Sequence, residues 1–89
     1  MPYIKKEHRK LFDSNIKILS DQISCDGDLN YIITSLVHKE LLKRGVNYQN
    51  MNNLVGSMEC AKNEFIRVVI GPYEDKKRVQ NGNISELDK

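Results

Sequence analysis

Cysteine is scarce in this chain of 89 residues: Cys25 and Cys60 are the two it has. They do not fall at the spacing of a zinc ligand set, and no secretory leader is read at the start. Both are therefore expected to be free thiols in a reducing cytoplasm. Long apolar runs are missing as well. No stretch approaches the roughly 20 residues needed to cross a bilayer, so no membrane role is expected. Charge of one sign is not in excess: the formal net charge of +2 is too weak to argue for nucleic acid by itself. His8 and His38 have no partner at metal spacing, and Glu-x-x-His and His-Glu-x-x-His are absent. No glycine-rich phosphate loop, nucleophile elbow or triad spacing occurs. Neither metal nor cofactor is expected. Sustained alternation of period two is also absent, which argues against strands.

What is present is helical periodicity. Phe12, Ile16, Leu19 and Ile23 follow one face of a segment read as a helix over 5–25. Asp26-Gly27-Asp28 reads as a break, with Gly27 suited to a left-handed turn and Asp28 to an N-cap. A second helix over 28–44 carries Leu29, Ile32, Ile33, Leu36 and Val37 on its stripe. Gly45 ends it after Lys43 and Arg44. Asn47 or Asn50 is placed to cap a third helix over 50–70, with Met51, Leu54, Val55, Met58, Ala61, Phe65, Val68 and Val69 on one stripe. Ile66 and Ile70 widen that stripe. Gly71-Pro72 reads as an interruption, after which Pro72 opens a short fourth helix over 72–80. The expectation is an all-α fold: three main helices and a short fourth, in one domain over 1–82, with a polar tail over 83–89. So short a chain buries a modest core. The width of the third helix's stripe asks for contacts on two sides, so a homo-oligomer is expected, with a dimer favoured.

Together, Met1-Pro2-Tyr3-Ile4, Gly27-Asp28-Leu29-Asn30-Tyr31, Glu59-Cys60-Ala61-Lys62 with Glu64-Phe65, Pro72-Tyr73-Glu74-Asp75-x-Lys77 and Asn81-Gly82 resemble a family of short, uncharacterised proteins encoded by bacteria and their phages. The pattern departs at Ile66, where an aromatic is expected, and at Asn83, where an acid is. The resemblance implies a stand-alone chain at home in mobile elements. It carries no activity to transfer.

Three groups of residues could carry chemistry. Lys62 sits near the middle of an apolar stripe, with Glu59 one turn away, and Glu40 holds the matching place on the second helix. Lys62 is expected to be shielded from water, tied to Glu59 or Glu40, as an anion receptor or a snorkelling lysine at a helix or subunit boundary. Tyr31, His38 and Leu42 form a second stripe on the second helix. With Ile66 and Ile70 they are candidates for an oligomer interface, since interfaces favour aromatics. Basic residues cluster at Lys5, Lys6, Arg9 and Lys10 and again at Lys76, Lys77 and Arg78, each cluster near a Pro-Tyr. Tyr3, Lys5, Arg9, Lys62, Tyr73, Lys77 and Arg78 are thus the candidate ligand residues, charge meeting phosphate and ring meeting base. Interleaved acids at Glu7, Glu74 and Asp75 blunt that field. The function expected is a non-catalytic helical binding protein. It would act on a host or phage protein, or sequester a nucleotide-like anion, so as to interfere with a host system. The alternative is a small nucleic-acid-associated protein using the two basic clusters. An enzyme has only Lys62 and its neighbouring acids in support.

Overall fold

The computed structural model describes residues 1–88, and among them the chain is all-α, with no strand. A one-turn helix α1 (Lys6–Arg9) leads into α2 (Asp13–Gln22). Then come α3 (Asp26–Arg44), α4 (Tyr48–Phe65), a wide π turn (Ile66–Ile70), α5 (Gly71–Asn81) and a final 3₁₀ turn (Glu86–Asp88). The helix expected over 5–25 is thus broken at 10–12. There Leu11 and Phe12 donate three residues back, to His8 and Arg9, which tightens the chain before α2 starts. The Arg9 guanidinium holds the Ile4 carbonyl at 2.9 Å, so the break is also where the N-terminal arm is fastened.

The corner between α2 and α3 falls earlier than expected. Ile23 and Cys25 are extended, Gly27 already lies in the first turn of α3, and no left-handed glycine is needed there. Asp28 is not the N-cap. Three residues inside the helix, its carboxylate reaches back to the backbone N–H and hydroxyl of Ser24, at 2.9 and 3.0 Å. It thereby satisfies a donor just outside the helix, as the acid of a capping box does.

The α3–α4 corner is built by asparagine at both ends. Gly45 (φ 117°) takes the left-handed conformation that stops α3. Asn47 caps α4, its Oδ1 accepting from the Asn50 N–H at 2.8 Å. Asn50 serves the other helix: its side-chain amide donates to the Gly45 carbonyl at 2.9 Å and the Arg44 carbonyl at 3.3 Å. Asn47→Ala should lower stability by about 1 kcal/mol, the usual worth of a cap. Asn47→Ser should retain most of it. Urea denaturation of the two variants separates them.

Gly71-Pro72 does not interrupt the third helix as expected. The helix widens instead, and the chain runs helically from Tyr48 to Asn81. The Gly71 N–H bonds to the Ile66 carbonyl, five residues back. Proline removes a donor, and its ring would strike the carbonyl four residues earlier in a regular helix. A turn of wider pitch relieves both problems. The helix ends at Gly82 (φ 96°), and the segment after it folds back. Arg78 donates to the Asn83 side chain at 3.1 Å and to the Asp88 carbonyl at 2.8 Å.

These elements do not close around a shared core. α3 packs against α4, and Leu54, at 6% exposed, is the one side chain buried among the described residues. Ile32, Val37 and Leu41 of α3 are half-buried, while Leu29, Ile33 and Leu36 of the expected stripe stay exposed. The Cα radius of gyration is 17.5 Å, where a compact chain of this length has about 12 Å. The accessible surface is 7996 Å², against about 5,400 Å² for a compact monomer of this mass.

Candidate functional site

The N-terminal arm lies along α4. Gly56, Ser57, Cys60 and Ala61 repeat at helical spacing, and their small side chains leave an open groove of about 510 Å³ lined also by Met1 and Pro2. Beyond it, the Tyr3 hydroxyl donates to Glu64 Oε1 at 2.6 Å. The same carboxylate takes the Arg67 guanidinium one turn on, with Nε at 3.4 Å from Oε2. Arg67 first, and the Tyr3 hydroxyl second, hold the Glu64 carboxyl below the ordinary glutamate range. The reciprocal bond to Glu64 raises the Tyr3 phenol above its usual 10.0. The sequence pattern places Tyr3 among the ligand residues and gives Glu64 and Arg67 no role, although their i, i+3 spacing is a legible signal. Tyr3 is 61 residues from Glu64, and no local pattern announces that bond.

Lys62 pairs with Glu59 at 2.8 Å, one of the two partners expected. It is not shielded. Its side chain is 60% exposed, because no second element of the chain covers that face of α4. Glu40 turns instead to its own helix, meeting Lys43 at 2.6 Å and Arg44 at 3.0 Å. Lys43, and then Arg44, lower its pKa. Asp28 is lowered chiefly by the Ser24 backbone N–H, then by the Ser24 hydroxyl.

The remaining expected residues fall into separate places. Tyr3 and Arg9 share a hollow with Ile4, Phe12 and Ile16, while Lys5 is exposed at the start of α1. On α5, the Lys77 ammonium stands 5.7 Å from the Tyr73 ring centre, and Arg78 lies beside it, 3.8 Å from Asp75. Tyr31, His38 and Leu42 do share one surface, with Thr34 and Lys39 between them. Tyr31 and Leu42 are 73% and 74% exposed. Ile66 and Ile70 are also open, and Phe65, Val68 and Val69 join them around the π turn. Apart from the Glu64–Arg67 side, where the arm is held, this part of the helix is apolar, and so broad an apolar surface is normally covered. Among the described residues no group of His, Cys, Asp or Glu is gathered as a metal would need, and no helix is long and apolar enough to cross a membrane.

Glu64, Glu40 and Asp28 all bind their protons more weakly in the folded chain. Their contribution to stability should be full above the ordinary carboxylate range, near pH 4, and be lost as pH falls through their lowered folded values. The Tyr3 phenol works in the other direction. Its contribution should hold below pH 10 and fade as pH rises from there past its raised folded value. The N-terminal arm should therefore loosen at both extremes. Replacing Tyr3 by Phe should remove the alkaline limb and leave the acid limb from Glu40, Asp28 and the Arg67-held Glu64. Denaturation midpoints measured across pH check this.

What fold and surface define is an open all-α chain, with its charges held in short-range pairs and its apolar helix faces outward. The chain belongs to the family described as Domain of unknown function (DUF6899), whose family model matches residues 1–84. Searches of curated proteins and of solved structures find no match.

Proposed function

We propose that this protein is a non-catalytic binding protein whose working form is a homo-oligomer, a dimer in the simplest case, that then engages a further protein. The observation that carries this is the surface it leaves uncovered. The chain exposes 7996 Å², about 2,600 Å² more than a compact monomer of its size. The exposed apolar side chains of α3, α4 and the π turn lie within that surplus, and grouped apolar exposure marks interaction surfaces. Two copies each covering such a surplus would bury an area in the obligate-dimer class, about 2,000–5,000 Å² in total. The acids with lowered pKa values support the binding reading over the enzymatic one, since each is held by an evident structural partner. The stripe of Tyr31, His38 and Leu42, remote in sequence from the π turn, is the surface suited to the second protein. The family resemblance adds a bacterial or phage setting, with a cytoplasmic host protein as the target.

One observation favours a second reading. Lys77 over Tyr73, with Arg78 beside it, offers a cation and a ring face to a nucleotide-like anion or to nucleic acid. Native mass spectrometry of protein taken from the producing cell tests both. It should show a dimer with no retained small ligand. The 10.3 kDa chain alone at micromolar concentration would sink the assembled form. A retained anion, or a salt-dependent shift of labelled DNA, would move the assignment to the second reading.

A further inference from the structure

The long helix from Tyr48 to Asn81 carries a charge pattern that reads correctly only against its own reverse. Its open face runs through Val55, Met58, Glu59, Lys62 and Ile66 at α spacing. The wide turn adds a residue to the repeat, so the face continues through Val69 and Ile70 to Glu74 and Lys77 rather than to Tyr73. Along the axis this gives acid, base, an apolar centre, acid, base.

We propose that this face is the dimer interface, occupied by the same helix of a second copy running antiparallel, with the two-fold axis beside Val68. In that register Ile66 lies opposite the partner's Ile70. Lys62 then faces the partner's Glu74, and Glu59 faces the partner's Lys77, each contact made twice by symmetry. A parallel, in-register pair would set every one of these charges against its like, which is unfavourable. Within the chain Glu74 has no ion-pair partner among the described residues, so it is free to take one. The overlap leaves Tyr48 to Leu54 outside the pairing, where Leu54 is already buried at the α3–α4 corner. The uncovered area matches what a stable dimer needs. This register rests on the assembled form proposed above, and the two fail differently.

Charge reversal tests it. Lys62→Glu alone and Glu74→Lys alone each place like charges across the axis, and each should weaken the dimer about tenfold, two contacts being altered at once. The double variant K62E/E74K should restore wild-type association. Mixing the two single variants should give heterodimers in preference to either homodimer, read by native mass spectrometry of isotope-labelled chains. Separately, mixing Ile66→Cys and Ile70→Cys chains, each with Cys25 and Cys60 replaced by Ser, should give a disulfide-linked heterodimer on mild oxidation. Single variants that dimerise as well as wild type, with statistical mixing and no disulfide between the Ile66→Cys and Ile70→Cys chains, would overturn the register and leave the dimer standing. A wild-type protein that is monomeric throughout would overturn both. Circular dichroism of each variant establishes that the helices persist.

Discussion

Ile66→Glu should convert the assembled protein to monomers at micromolar concentration. Ile66 is 43% exposed in the single chain, at the centre of the apolar collar that circles the long helix. If that face is dry in the assembly, each copy brings a carboxylate into apolar contact opposite the partner's Ile70, and the cost of drying it exceeds what Lys62, one turn back, can return. The penalty is on the order of 3 kcal/mol per carboxylate. Two copies per dimer make the loss about four powers of ten in dissociation constant. The helices should survive, because the change costs the isolated helix little. Sedimentation equilibrium decides it, with Ile66→Leu as the conservative partner that should stay associated. Val79→Glu, on the exposed end of α5, should leave the mass unchanged. An Ile66→Glu protein that sediments as a dimer would place the interface elsewhere.

Leu54→Ala should have the largest effect on the single chain. Leu54 is the side chain on which α3 and α4 close, and nothing else in the described residues is buried to the same degree. Truncating a buried leucine removes its transfer energy and leaves a void, together about 2–5 kcal/mol. A marginal small core has little in reserve. The corner held by Asn47 and Asn50 should then open, and α3 should swing free of α4 while both keep their helical hydrogen bonds. The expected signature is a lower, broader thermal transition with much of the far-UV helical signal retained. Hydrogen exchange should show lost protection in α3 ahead of α4. An unchanged transition would mean that the α3–α4 contact contributes little to the folded state.

The helices are legible in the sequence because their signals are local. Apolar spacing locates α3 and α4 to within a few residues, and Gly45 and Asn47 mark the ends they are suited to mark. Sequence and structure part where backbone bonding, not side-chain pattern, decides. The tightened turn before Phe12 has no distinctive residue in it. Gly71-Pro72 carries the ordinary sign of a stop, and a wide turn absorbs it. Charge partners split in the same way. Lys62 with Glu59 follows from i, i+3 spacing. That Lys62 stays in water follows from what does not pack on it, and a sequence pattern cannot show that. An apolar stripe says that something will cover it. Whether the cover comes from the same chain is a property of the whole topology.

The bond from Tyr3 to Glu64 also has a consequence in time. A chain grows from its N-terminus at about 5–20 residues per second. The arm carrying Tyr3 is made well before its acceptor, which lies 61 residues further on. While α2 and α3 form from contacts already at hand, Arg9 can hold the Ile4 carbonyl, but the tip of the arm at Tyr3 has no carboxylate to meet. It stays loose through most of synthesis and fastens only when the middle of the long helix is available. Tyr3 is made early among these residues and finds its place late. In a nascent chain the segment around Tyr3 is therefore expected to stay open to proteolysis until Glu64 has emerged.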